Sequence, residues 1–215
     1  MSEPLPIAVL VSGGGTNLQA LLDTVHGNEA QVVAVASSTA DAPALERARR
    51  RGVPAAIFAR ADYPDRAARD DALAGWIEQS GARLVVLAGY MELLGDAFLE
   101  RFPGAVINVH PSLLPAFPGL GAVEQALAYG VKVFGVTVHF VDSGVDTGPV
   151  ILQRAIELPE PGTAPEVLAA LRPLEHSLLP AAVRLFAAGA LRADPANPRR
   201  IAGALPRGTT GADGG

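Results

Sequence analysis

The chain has 215 residues, 49 % of them apolar and 18 % charged, with 17 basic against 22 acidic side chains and a formal charge of −5. This length and apolar content predict one folded domain with a sizeable core and exclude a wholly disordered chain. The mild acidity argues against sequence-independent binding of nucleic acid, but it allows a small anionic substrate held by local donors. Lys132 is the single lysine, which leaves Schiff-base and P-loop chemistry almost no residue to use.

The absence of cysteine removes disulfides, thiolate nucleophiles and cysteine-based metal sites. The histidines, His26, His110, His139 and His176, show no paired spacing, so we expect no metal. The N-terminus lacks the basic region of a signal peptide, and no apolar stretch reaches the roughly 18 residues of a membrane span. We therefore expect a cytoplasmic protein with no membrane or nucleic-acid partner.

Short apolar runs alternate with amphipathic segments in the first half of the chain. Strands are predicted at residues 7–11, 32–36, 55–58, 84–88 and 105–109. Helices are predicted between them, around residues 18–25, 44–51, 73–80 and 95–102. Such alternation is typical of βαβ units around a parallel sheet.

The pattern changes from residue 133 onward. Strand-like runs at 133–141 and 150–157 flank a tight polar connection, which predicts an antiparallel addition to the sheet. The expected fold is therefore α/β, a Rossmann-like, mostly parallel twisted sheet with helices on both faces. A long helix is predicted at 165–188, with Pro173 and Pro180 expected to kink or interrupt it. Residues 1–190 are expected to form one domain, and residues 191–215, rich in Pro, Gly and Arg, a flexible tail.

A run of glycines follows the first predicted strand, within residues 12–17. A glycine turn between a strand and a helix exposes backbone N–H groups at the helix N-terminus, where an anion is stabilised. The dinucleotide fingerprint is incomplete, because Leu18 replaces its third glycine and the second strand ends without a ribose-binding acid. The turn therefore predicts a phosphate site, with a purely structural connection as the alternative.

Asn108 and His110 lie at the end of the fifth predicted strand. They alternate about Val109, so both side chains point to one face, and open α/β sheets bind ligands beyond the carboxyl ends of their strands. An amide and an imidazole aimed at one point can hydrogen-bond a developing oxyanion. A histidine that is only structural is the alternative.

Asp142 and Asp146 begin two triplets that resemble those of aspartic proteases. That interpretation fails, because aspartic proteases carry their triplets on separate lobes of an all-β fold and these aspartates are neighbours in one connection. A polar turn between strands is the plain alternative. Combined with the glycine turn and the Asn/His pair, the carboxylates favour an enzyme in which a phosphate site faces a polar cluster.

With these residues in view, the chain resembles the phosphoribosylglycinamide formyltransferases, folate-dependent enzymes of purine biosynthesis. The resemblance covers roughly residues 5–190 and is carried by segments 12–20, 45–49, 85–91, 108–115, 118–119 and 139–150. It implies the formyltransferase fold and transfer of the formyl group of 10-formyltetrahydrofolate to the amine of 5-phosphoribosylglycinamide. The implied partners are these small molecules alone, in a monomer or homodimer, without a metal.

The resemblance also implies roles for individual residues. The ribonucleotide would contact Gly15, Thr16, Asn17 and, at its glycinamide end, Glu175. The folate would contact Arg66, Met91, Glu92, Leu93, Leu94, Asn108, Asp142, Ser143, Gly144, Val145 and Asp146. Asn108 and protonated His110 would stabilise the oxyanion, while Asp146 keeps His110 protonated and helps to move the amine proton through water.

Two positions depart from the family pattern. Gly121 stands where many relatives carry a histidine beside the catalytic aspartate, and Arg172 replaces an expected glutamine. Methionyl-tRNA formyltransferases and formyltetrahydrofolate deformylases share the Asn-x-His…Asp centre, but each adds a domain that we do not expect here. A transferase acting on a different amine, and a noncatalytic nucleotide sensor that uses only the glycine turn, are the remaining alternatives.

Overall fold

A twisted sheet organises the part of the chain that the computed structural model describes, residues 3–202. Its strands are β1 (Leu5–Val11), β2 (Ala30–Ser37), β3 (Ala55–Ile57), β4 (Leu84–Leu87), β5 (Val106–His110), β6 (Val133–Phe140), β7 (Val150–Glu157), β8 (Arg192–Asp194) and β9 (Asn197–Ala202). The helices are α1 (Thr16–Thr24), α2 (Pro43–Arg50), α3 (Arg66–Gln79), α4 (Asp96–Arg101), α5 (Ala122–Tyr129) and α6 (Ala164–Ala187).

The strands lie in the order β3-β2-β1-β4-β5-β6-β7-β9-β8. Strands β1 to β5 run parallel, and β6 and β7 continue the sheet in antiparallel pairing. The prediction of a mostly parallel sheet with an antiparallel addition is confirmed. The strand order reverses between β1 and β4, which is the point where an open α/β sheet leaves a crevice at its carboxyl edge.

Both faces of the sheet are covered by helices. Val9 and Val86 pack into one core with α1, α2, α5 and α6, whereas Leu10 and Val85 pack into the other core with α3 and α4. Because successive side chains of a strand point to opposite faces, burial on both faces requires an apolar residue at every position. This requirement explains the continuous apolar runs in the sequence.

The sequence predicted that Pro173 and Pro180 kink or interrupt helix α6, and the structure contains no interruption, since the helix runs without a break over Ala164–Ala187. Each proline removes one backbone donor, but Leu171, Leu179 and Val183 bury the face of the helix completely against the sheet. Burial of this face stabilises the helix more than the missing hydrogen bonds weaken it. Within residues 3–202, none of the helices combines the length and apolar character needed to cross a bilayer.

Strands β8 and β9 form a hairpin where the sequence predicted a loose tail. The hairpin turn is held locally, since the Asp194 carboxylate accepts the Ala196 N–H at 2.9 Å. Its charged and mostly exposed side chains show no alternation of apolar and polar residues, so the sequence pattern did not predict these strands. β9 pairs with β7, and Arg199 donates two hydrogen bonds to the Thr147 carbonyl at 3.1 and 3.0 Å. Residues 203–215 of the expected tail lie outside the described residues.

Candidate active site

A cleft of about 650 Å³ opens beyond the carboxyl ends of β4 and β5. Its walls come from the loops at 91–95, 119–121 and 142–146. Met91, Leu93, Leu120 and Val145 line the cleft and are 46 to 76 % exposed. Such exposure of large apolar side chains around a polar floor is typical of a small-molecule binding cleft.

Asp146 lies at the centre of the polar floor. Its Oδ1 accepts from the Asn108 amide at 3.3 Å and lies 3.5 Å from His139 Nε2. Its Oδ2 lies 3.3 Å from His110 Nδ1 and accepts the Gly119 N–H at 2.7 Å. The carboxylate therefore joins strands β5 and β6 to the loop that follows His110.

The pKa of Asp146 reflects two opposing effects. Burial alone would raise it, but the His139 hydrogen bond, the Gly119 N–H and the charges of His110 and His139 lower it from 3.8 to about 2. Hydrogen bonds and positive charge stabilise the ionised form of a carboxyl group more than burial penalises it here. Asp146 is therefore an anion throughout the neutral pH range.

His110 makes contacts through both ring nitrogens. Its Nδ1 faces the Asp146 carboxylate, and its Nε2 lies 2.9 Å from the Phe117 carbonyl oxygen. Both neighbours are hydrogen-bond acceptors, so the ring can donate to either of them. Phe117 holds its carbonyl there with a φ of 53°, a conformation that a bulky residue adopts only under constraint.

The register between β5 and β6 places two of these residues side by side. Asn108 pairs with His139, and His110 pairs with Thr137. Buried Thr137 donates to the Ser112 carbonyl at 2.7 Å and accepts the Leu114 N–H at 3.1 Å. The turn after His110 is thus fixed by the neighbouring strand, which holds the imidazole over the floor of the cleft.

A second cavity of about 310 Å³ lies at the glycine turn between β1 and α1. Gly13, Gly14 and Gly15 donate no backbone N–H to another residue in the described part of the chain. Gly15 has a φ of +71°, and a Cβ built on it would lie only 2.5 Å from the Ala44 side chain. The turn therefore presents free N–H donors at a helix N-terminus, and Arg172 adds a positive charge to the wall.

Asn17 and Glu175 meet beside this cavity. The Asn17 amide donates to Glu175 Oε2 at 2.9 Å, and the Asn17 Oδ1 is buried without a partner in the described structure. The Asn17 side chain thus faces helix α6.

The two cavities share Gly89 and Met91 in their walls. Ser12, from the glycine turn, accepts the Met91 N–H at 2.8 Å and pairs with the Ser38 hydroxyl at 2.6 Å. Two small molecules bound in the two cavities would consequently meet near the end of β4.

The structure brings the residues singled out by the sequence into these two cavities. The larger cleft contains Arg66, Met91, Glu92, Leu93, Leu94, Asn108, His110, Asp142, Ser143, Gly144, Val145 and Asp146. The smaller cavity contains Gly15, Thr16 and Asn17, with Glu175 reached through Asn17. Within residues 3–202, no three His, Asp or Glu side chains are grouped in a way suited to hold a metal ion.

The sequence did not indicate that His139 and Gly119 contact the candidate catalytic aspartate, Asp146. His139 had one visible signal, its place at the end of a strand next to a polar loop. Its pairing with Asn108 depends on strand register, which no local pattern shows. Gly121, where a histidine was expected, directly precedes α5 with a φ of +67°, and the contacts of Asp146 come from Asn108, His110, His139 and Gly119.

The chain is similar in sequence and in structure to proteins of known family. Residues 5–183 match the family model described as formyl transferase. A phosphoribosylglycinamide formyltransferase of Haemophilus influenzae is 39 % identical over 86 % of this chain and 89 % of its own length. Its counterpart in Bacillus subtilis is 40 % identical over 82 % and 92 %. The crystal structure of glycinamide ribonucleotide transformylase 1 from Symbiobacterium toebii is 48 % identical, covers 94 % of this chain and 95 % of its own, and has a TM-score of 0.90.

Proposed function

Because the chain belongs to the formyl transferase family, we propose that it transfers the formyl group of 10-formyltetrahydrofolate to the amine of 5-phosphoribosylglycinamide. The products are formylglycinamide ribonucleotide and tetrahydrofolate, in a step of purine biosynthesis. The observation that carries this proposal is the convergence of Asn108, His110 and Asp146 on the floor of one of two adjoining cavities.

The reaction needs no covalent link to the protein. The primary amine attacks the formyl carbon, and the C=O electron pair moves onto oxygen to give a tetrahedral oxyanion. The Asn108 amide and the His110 imidazolium donate to this oxygen, and each such donor contributes roughly 3 kcal/mol to the transition state. For this purpose the donor at His110 Nε2 turns from the Phe117 carbonyl, which lies 2.9 Å away, to the oxyanion.

Asp146 completes the transfer of the proton. As an anion beside His110, it stabilises the imidazolium and orients a bound water. Through this water the proton leaves the nitrogen that has attacked and reaches the N10 nitrogen as the C–N bond to the folate breaks. Charge and atoms balance without a metal ion taking part in any of these steps.

Each cavity suits one substrate. The free N–H groups of the glycine turn and the guanidinium of Arg172 fit a phosphate dianion. The Glu175 carboxylate, which accepts from Asn17, fits a hydrogen-bond donor at the glycinamide end of the ribonucleotide. The larger cleft combines apolar walls with the cation of Arg66, a pairing that fits a flat heteroaromatic ring with an anionic tail. We place the reaction in the cytoplasm, with these small molecules as the only partners required.

A formyl-transfer assay tests the proposal. Purified protein is mixed with 10-formyltetrahydrofolate and 5-phosphoribosylglycinamide, and both products are followed. Parallel reactions offer water alone, or a different primary amine, as the acceptor. Stoichiometric formation of formylglycinamide ribonucleotide supports the proposal. Formyl release to water alone indicates a hydrolase, and binding of the ribonucleotide without turnover indicates a noncatalytic sensor.

A further inference from the structure

An arginine lies in the core beneath the larger cleft. Arg69, on helix α3, is 0 % exposed and is among the largest fully buried side chains. Its Nε and Nη2 donate to Oδ1 of the neighbouring Asp70 at 3.1 and 2.7 Å, and Asp70 is itself only 3 % exposed. A charge in the core keeps its ionised form only when its donors are fully used.

The remaining donors of Arg69 go to the loop at 91–95 that forms one wall of the cleft. Nη1 donates to the Glu92 carboxylate at 2.7 Å, and Nη2 also donates to the Leu93 carbonyl at 2.9 Å. Asp70 contributes a further link, since its Oδ2 accepts the Gly95 N–H at 2.7 Å. The buried pair therefore holds three of the loop's five residues by hydrogen bonds.

The pair also bears on Arg66, one helical turn earlier on α3. A Cβ built on Gly95 would lie 3.8 and 3.9 Å from two Arg66 nitrogens and 3.3 Å from Asp70 Oδ2. Gly95 thus packs beneath the Arg66 guanidinium while its N–H is held by Asp70. A displacement of the loop end would open the contact that supports Arg66 in the cleft.

We propose that Arg69, together with Asp70, is a positioning residue that sets the shape of the folate-binding wall at 91–95 and thereby the affinity for the formyl donor. Arg69 touches no substrate, so its effect is transmitted through Glu92, Leu93 and Gly95. A planar guanidinium is required, because its fixed fork of N–H donors reaches the Asp70 carboxylate on one side. On the other side it reaches the Glu92 carboxylate and the Leu93 carbonyl. The identity of the ligand rests on the proposed function.

The test compares Arg69→Met and Arg69→Lys with a matched control, Arg101→Met. Arg101 also joins α3 to α4 through carboxylates, those of Asp71 and Glu78, but it makes no contact with the loop. We expect the Arg69 variants to raise KM for the formyl folate by about tenfold or more, with KM for the ribonucleotide unchanged within about twofold. The control variant is expected to keep both constants.

A second readout is independent of catalysis. Hydrogen exchange at the Gly95 amide should accelerate about tenfold in the Arg69 variants, because Asp70 loses the partner that holds it in place. If the Arg69 variants do not fold, Asp70→Asn tests the same link from its other partner, because Asp70 does not line the cleft, and a smaller rise in folate KM is expected. Equal changes in both KM values, or unchanged folate KM and Gly95 exchange, would overturn the positioning role. A parent enzyme without formyl transfer would overturn the proposed function instead, and the exchange measurement would still decide the role of Arg69.

Discussion

Asp146 accepts a 2.7 Å hydrogen bond from the backbone N–H of Gly119, which links the loop after β6 to the loop after His110. The carboxylate is thereby oriented by main chain as well as by His139. A backbone donor has no side chain to lose, so this support does not depend on what occupies position 121. The side chain of Asp146 is 14 % exposed, and little water competes for it.

Asp146→Asn is expected to change the pH dependence of stability. The folded pKa of about 2 lies below the ordinary value of 3.8, so the carboxylate stabilises the fold above about pH 4 and loses this contribution as pH falls toward 2. The contribution at neutral pH is about 2 kcal/mol. Urea unfolding of parent and variant should show a gap at pH 7 that narrows steadily in acid. A gap of constant size would contradict the electrostatic origin.

His110→Ala should abolish most formyl transfer while the fold persists. The lost donor acts on the oxyanion, and the expected loss of kcat is about 100-fold or more. His26→Ala is the matched control, because His26 accepts the Val32 N–H at 3.1 Å and lies outside both cavities. Circular dichroism verifies the fold of both variants. Turnover of His110→Ala near the parental rate would remove the residue from the mechanism.

Neighbouring glycines of the turn should respond differently to the same change. A Cβ on Gly14 meets nothing within 4 Å, whereas a Cβ on Gly15 meets Ala44 at 2.5 Å in a left-handed conformation. Gly14→Ala should therefore keep its stability and weaken ribonucleotide binding, while Gly15→Ala should also lower the melting temperature. Calorimetry with each substrate and thermal melts give both quantities. Equal loss of folate and ribonucleotide binding in Gly14→Ala would argue against a phosphate site.

Glu175→Gln keeps the size of the side chain and removes its charge. Its Oε2 accepts from Asn17, and the neutral amide can still accept that bond through its carbonyl oxygen. The stronger hydrogen bond that a carboxylate accepts from the ribonucleotide is lost, so KM for the ribonucleotide should rise about tenfold with little change in folate KM. Steady-state kinetics with each substrate varied in turn measure both. A rise in the folate KM alone would contradict the role of Glu175 in binding the ribonucleotide.

The sequence allowed β1, β2, β4 and β5 to be predicted, because these strands are buried on both faces and each ends at a glycine or polar turn. The glycine turn and the Asn108/His110 pair were visible for the same reason, since both follow apolar runs directly. Helix α5 was missed, because it starts from a left-handed glycine and spans only 122–129. A short helix without a capping side chain leaves little local signal.

The roles of Arg69 and His139 could not be predicted from local pattern. Residues 66–71 are two arginines, two alanines and two aspartates, a composition that is typical of a solvated helix face. Burial of Arg69 follows from the docking of the loop at 91–95 over α3, a contact between segments distant in sequence. Local sequence patterns predict the helices and strands. The contacts of Arg69 and His139 form only when those helices and strands pack together, so no local pattern predicts them.

Strand β6 carries a β-bulge on its outer edge, where it pairs with β7, but not on its inner edge, where it pairs with β5. Toward β5 the pairing is regular through His139, whereas toward β7 the register shifts between Val138 and His139, so that Ile151 is passed over. A one-residue slip on the inner edge would turn the imidazole away from Asn108. The bulge takes up such a slip on the outer edge. The bulge therefore separates the register of β7 from the pairing of Asn108 with His139, the two residues that contact Asp146 from neighbouring strands.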